Sequence, residues 1–317
     1  MAENRIFASG LRFPEGPIAL PDGGLLVCEV AGGRLTQLDP SGNATIVADL
    51  GGGPNGAALG PDGRCYVCNS GGFAWFERDG RLMPGSAPQG YEGGWIEAVD
   101  LSTGRREVLY REVAGIPLLG PNDLVFDGEG GFWFTDHGKQ RKRSRDRGSV
   151  CYARADGSGI VECVSGLEGP NGIGLSPDGR RLYVSETPTA RLWAFDVQGP
   201  GRLARSAGTF DGRRGELVIG LGGYHLFDSM AIDREGNVWL ATLPTGISVV
   251  SPDGRLLRTI PFPDQFTTNL CFGGDGRRTI YVTQSSLGQI CALDAESEGL
   301  ALHFEATLQE NAAALRL

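Results

Sequence analysis

Six residues share one context and one chemistry. Each stands second in a segment built as a short apolar run, a Gly turn and another apolar run. The segments are PEGPIALPDGGLLVCEV (14–30), PNGAALGPDGRCYVCNS (54–70), PNDLVFDGEGGFWFTDH (121–137), PNGIGLSPDGRRLYVSE (170–186), FDSMAIDREGNVWLAT (227–242) and TNLCFGGDGRRTIYVTQ (268–284). Aligned, the second position reads Glu15, Asn55, Asn122, Asn171, Asp228 and Asn269. All six carry a side-chain oxygen, and none is basic or apolar. Oxygen donors of this kind ligate hard divalent cations such as Ca²⁺, Mg²⁺ and Mn²⁺, with the two carboxylates offsetting the charge. Turn formation alone accounts for Asn in the PNG of Asn55 and Asn171. It does not account for Glu15 and Asp228, which share the register without that text.

Other catalytic signatures are absent or out of context. No GxSxG elbow or HExxH occurs. Gly51–Gly56 (GGGPNG) fits GxGxxG but contains Pro and precedes a strand, which excludes a dinucleotide loop.

The elements that must position the six residues follow from the repeat. A turn Gly falls eight residues after the polar position in five units (Gly23, Gly63, Gly130, Gly179, Gly236) and seven after it in the last (Gly276). Each unit continues into more strand-like text, such as RLTQLDPSG, RLWAFDV and QICALDA. Four short strands in each of six units of ~50 residues predict an all-β, six-bladed propeller, with residues 1–317 forming one domain. Two packed sandwiches would not produce six copies in register. In a propeller the first strand of each blade lines the central channel, so the six polar positions converge there. The need to remove free edges predicts that RIFASG pairs with the C-terminal ALHFEATL.

Composition agrees. The 317 residues include 51 Gly and 18 Pro, with 40% hydrophobic residues. Gly at more than twice its usual ~7% excludes a helical bundle, and lacking a G-X-Y period it excludes collagen. A formal charge of −9 argues against nucleic-acid and membrane-surface partners. No apolar run reaches the ~18 to 20 residues that span a bilayer. No leader precedes MAENRIF, and seven scattered Cys read as free thiols, so a cytoplasmic location is expected. Cys65 and Cys68 resemble half a metal site, but in a strand they face opposite sides.

One segment opposes the acidic balance. Lys139–Arg147 (KQRKRSRDR) holds six basic residues. It reads as a solvated loop or as a basic rim that steers an anionic substrate. Together with Gly85–Gly94, it flanks the third unit, where long loops would form lids or interfaces.

The segments FPEGP (13–17), GPNDLVFDGEGGFWFTDHG (120–138), GPNGIGLSPDGRRLYVSET (169–187) and FDSMAIDREGNVWLAT (227–242) resemble the gluconolactonase/senescence-marker-protein (regucalcin-like) family, in order over nearly the whole chain. The resemblance implies a six-bladed propeller with one divalent cation at the channel mouth. Position by position it makes Glu15, Asn171 and Asp228 metal ligands, with Asn122 contacting substrate or joining them. The chain departs from the family pattern in having His137 and the basic stretch after WFTD. It also has Leu118-Leu119-Gly120-Pro121 before Asn122, where sugar-lactone members often carry Arg.

The expected activity is opening of a lactone, with a cation (Ca²⁺ first; Mg²⁺, Mn²⁺ or Zn²⁺ as alternatives) as Lewis acid. Asp228 is the first choice of base and Asn122 its partner in catalysis, with Asp136 and Glu186 as alternate bases. Asn55, Asn122, Asp136, His137 and His225 are the candidate substrate contacts. Phosphotriester or other ester cleavage on the same cation, and a non-catalytic calcium-binding propeller, are the competing readings. The expected partner is a small lactone or ester; the sequence leaves the oligomeric state open.

Overall fold

The computed structural model describes residues 4–204 and 215–305. Six antiparallel sheets, each of four main strands, form a six-bladed β-propeller. The inner strands are Pro14–Ala19, Pro54–Leu59, Pro121–Phe126, Pro170–Leu175, Leu226–Ile232 and Thr267–Gly273. Each turns back through its Gly into a second strand: Leu25–Glu29, Cys65–Asn69, Gly131–Asp136, Arg181–Glu186, Val238–Leu243 and Thr279–Gln284. All six turn glycines adopt positive φ, which a side chain would strain. Among the described residues only two three-residue 3₁₀ turns and Glu305 are helical, and no helix is long and apolar enough to cross a membrane.

Alternating residues of the second strands explain how the blades hold together. Phe132 and Phe134 face the seam between blades two and three, whereas Trp133 faces the seam between three and four. Six such apolar clusters occur, one per seam. Cys65 enters one seam and Cys68 the next, both fully buried, so this CxxC is packing. The seven cysteines are all free thiols.

Ring closure differs from expectation. Arg5–Ser9 does supply the missing outer strand, but it pairs with Gln289–Asp294, the third strand of blade six. That strand presents the open edge. The described part of ALHFEATL is not a strand. Leu302, His303 and Glu305 instead cover the apolar far end of the channel, a cavity of about 100 Å³, and Phe304 packs edge-on against Phe126. The last three residues of ALHFEATL, 306–308, lie outside the described residues.

Candidate functional site

The six polar residues all sit at the start of an inner strand, at the channel end opposite the Gly turns. A shared irregularity positions them. In every blade the pairing of the first two strands breaks register at or just after the polar residue, as between Pro121 and Leu124 or between Phe227 and Met230. Such a bulge re-aims side chains, here toward the axis. Neighbouring inner strands then approach closely. A Cβ on Gly16 would lie 2.4 Å from Asn55 O, so only glycine fits there.

Glu15, Asn55, Asn122, Asn171 and Asn269 are buried, and Asp228 is half-buried. Asn269 Nδ2 donates to Glu15 Oε2 at 2.8 Å, and Gly16 N donates to the same oxygen at 3.0 Å. Asn171 Nδ2 donates to Thr187 Oγ1 at 3.1 Å, and Ser229 Oγ donates to Asn171 Oδ1 at 3.4 Å. Asn122 Oδ1 is buried and accepts no hydrogen bond.

A third carboxylate joins Glu15 and Asp228. Asp123 is buried, accepts a hydrogen bond from Leu124 N at 2.9 Å, and is pushed up to about 7 by burial and then by the charge of Glu15. Burial also raises Glu15, and burial followed by Glu15 raises Asp228 far above the usual carboxylate range. Each group therefore resists ionisation beside the others, as carboxylates sharing one site do. Sequence reasoning missed Asp123. Its signal was the next aligned column, which is Gly in blades one, two and four but Asp in blade three.

Asp136 and Glu186 stand at the ends of their second strands, yet their carboxylates turn to backbone. Asp136 Oδ2 accepts Leu119 N at 2.7 Å, and Glu186 Oε1 accepts Glu168 N at 2.8 Å. Three other blades repeat the device. Glu29 accepts Arg12 N, Asn69 accepts Gly53 N, and Gln284 accepts Asp264 N. Each clamps the chain just before an inner strand, which fixes where that strand's ring residue begins.

His137 and His225 lie at the rim. His137 Nδ1 is 3.2 Å from Pro170 O, which only an N–H can satisfy, so Nε2 is the lone pair that accepts from Arg145 Nη2 at 2.7 Å. Burial and then Arg145 push this imidazole down to about 3, leaving it neutral. His225 Nδ1 lies 3.1 Å from Thr245 Oγ1. The basic loop is not wholly solvated. Lys139 is 2% exposed, donates to Gly72 O at 2.8 Å and lies 3.9 Å from the Phe73 ring centre. Burial lowers its pKa to about 7. A hairpin, Trp75–Arg78 with Arg81–Pro84, reaches from blade two across blade one. Trp75 packs on Phe13, and Arg81 pairs with the fully buried Asp264 at 2.9 Å.

The SMP-30/Gluconolactonase/LRE-like region matches residues 13–286. The chain belongs to this family. Among its relatives is the gluconolactonase of Zymomonas mobilis, 29% identical over 303 residues, covering 88% of this chain and 78% of that protein. The diisopropyl-fluorophosphatase of Loligo vulgaris is 27% identical, over 61% of this chain and 63% of that one. A solved gluconolactonase from Xanthomonas campestris superposes with a TM-score of 0.72 at 25% identity, covering 92% of this chain and 89% of the other. In this SMP-30/gluconolactonase-type propeller all six ring residues, Glu15 to Asn269, lie within the matched span.

Proposed function

We propose that the chain is a divalent-cation-dependent hydrolase that opens a lactone, with Glu15, Asn122, Asn171 and Asp228 holding the cation. The observation that carries this reading is Asn122 Oδ1, a buried acceptor with no donor, beside carboxylates that burial holds against ionisation. An unsatisfied buried acceptor costs about 1–3 kcal/mol. A hard cation removes that cost and favours the ionised carboxylates, and the all-oxygen donor set fits Ca²⁺ best. When bound, such a cation supplies Lewis-acid polarisation of the lactone carbonyl and stabilises the charge developing on its oxygen.

The chain's own residues do the rest. Water bonds to the carbonyl carbon as Asp228 takes its proton. The bond from that carbon to the ring oxygen then breaks, and the ring oxygen receives a proton to leave a hydroxy acid. Burial and the charge of Glu15 raise the proton affinity of Asp228, and a bound cation would draw it back down, leaving the carboxylate ionised and available as a base. Asn122 orients the carbonyl group, Asn55 in the ring and His225 at the rim contact the rest of the substrate, and His137, with both ring nitrogens engaged, acts through Arg145. Asp136 supports the site by clamping the entry to blade three.

The similarity to the Loligo vulgaris enzyme favours a second reading, phosphotriester cleavage at the same residues. The test is metal analysis, then a panel of lactones and phosphotriesters assayed with the cation removed and restored. Lactone hydrolysis that stops with chelator and returns with Ca²⁺ supports the proposal. Full activity in a metal-free sample refutes it, and turnover of phosphotriesters alone transfers the assignment to the second reading.

A further inference from the structure

Four cations of the 139–147 loop are paired or solvated, and Lys139 is buried against Gly72 O and the Phe73 ring. Arg141 pairs with Asp146 at 2.6 Å and Arg147 with Glu168 at 2.9 Å, while Lys142 and Arg143 are exposed to solvent. Arg145 does neither. Its guanidinium is half-buried against the start of blade four's inner strand, so close that a Cβ on Gly169 would lie 2.0 Å from Nη2. Its one hydrogen bond is to His137, a neutral partner, and its Nε is buried with no partner at all. Among the described residues no carboxylate lies within ion-pair distance of it. Glu168 and Glu186 act on it through space while hydrogen-bonding elsewhere, Glu168 to Arg147 and Glu186 to Glu168 N and Thr189 Oγ1.

A guanidinium shielded from water whose donors no carboxylate fills is unfavourable, and unfilled donors on a cation favour an anionic acceptor. The location says what kind of anion. Gly169 is two residues before Asn171, and His137 N donates to Gly120 O, two residues before Asn122. Arg145 therefore stands over the seam between two ring residues. The ring itself carries Glu15, Asp123 and Asp228, which would repel an anionic substrate, so a compensating cation at the rim is what such a substrate needs.

We propose that Arg145 is a specificity residue that seats an anionic substituent of the substrate: a carboxylate, sulfonate or phosphate carried on the lactone away from the scissile carbonyl. The planar fork of Arg matches the paired oxygens of all three groups. The location of the group follows from Arg145 alone, but its identity as a lactone substituent rests on the lactonase reading above.

The test separates the two. Non-hydrolysable gluconolactam is titrated against wild-type protein beside its 6-phosphate, its 6-sulfonate and the corresponding uronate lactam. At least one anionic lactam is expected to bind about 10-fold or more tightly than the neutral one, and the three arms tell which anion fits. Arg145→Gln should erase that preference while changing neutral-lactam affinity less than about threefold, and Arg145→Lys should restore part of it. Arg143→Gln, on the exposed side, should leave it intact. The same substrates as lactones should show the Arg145→Gln loss mainly in KM. If the preference appears in the lactams but no lactone is opened, the subsite stands and the lactonase reading falls. Equal wild-type affinity for neutral and anionic lactams overturns the subsite, as does a preference that Arg145→Gln leaves unchanged. Should Arg145→Gln not fold, the wild-type comparison and Arg145→Lys still decide.

Discussion

Asp136 is where a catalytic and a structural role predict opposite results. Its sequence position, at the end of a second strand beside the channel mouth, suits a substrate contact or an alternate base. Its hydrogen bonds suit a clamp: Leu119 N at 2.7 Å and Gly138 N at 3.3 Å. Asp136→Ala would leave both amides unsatisfied in a site only 6% exposed. At about 1–3 kcal/mol for each buried donor, the loss is about 2–6 kcal/mol. In a chain of 317 residues 1 kcal/mol moves Tm by about 1.5 °C, so a fall of roughly 3–9 °C is expected. Asp136→Asn keeps an acceptor and removes a buried charge whose pKa burial already raises, so it should cost less than about 2 kcal/mol. Asn69 performs the same task in blade two, accepting Gly53 N at 2.8 Å. The assay is thermal unfolding alongside steady-state kinetics of both variants on a lactone that the wild type opens. A clamp predicts that Asp136→Asn retains kcat within about fivefold while Asp136→Ala loses stability steeply. A fall in kcat of about 100-fold or more in Asp136→Asn, at unchanged Tm, would refute the clamp and return Asp136 to the chemistry.

Glu15→Gln and Asp228→Asn should each abolish the stabilisation given by Ca²⁺, about 3 kcal/mol at a hundredfold excess over Kd, together with lactone hydrolysis; thermal shift with and without chelator reads both. Lys139 has a folded pKa of about 7, below its ordinary value, so the folded state binds fewer protons than the unfolded chain between about pH 7 and 10. Its burial penalty is therefore full below pH 7 and relieved as pH rises, and urea midpoints should show a stability gain of at most about 5 kcal/mol over that range, absent in Lys139→Met. Gly16→Ala should cost several kcal/mol or prevent folding, because its Cβ would meet Asn55 O at 2.4 Å; soluble expression and Tm test this.

The fold and the ring were legible for one reason: six copies of the same hairpin report their register independently of loop length. Glu15 and Asp228 fell into line with four Asn residues although the text around them differs. Register gives a residue's position along a strand, however, and not the direction of its last rotatable bonds. The backbone partners of Asp136 and Glu186 were illegible on that account, since strand-end carboxylates near a mouth look alike whether they face solvent or a backbone amide. The corrective signal was the column Glu29, Asn69, Asp136, Glu186 and Gln284, polar acceptors repeated in blades where no chemistry is needed. Acceptors repeated in that second-strand column mark scaffold, whereas a carboxylate that breaks a column of the inner strands is a candidate for function. By that criterion Asp123, where three other blades carry Gly, stands out. The basic loop of blade three, with no counterpart in the other units, was visible as an anomaly in charge. That its cations divide, with Lys139 and Arg145 turned inward and the others paired or solvated, depends on contacts to Gly72, Phe73, His137 and Gly169 that come from three different blades. No spacing rule reaches across blades, so this division, on which the substrate preference turns, became visible only in three dimensions.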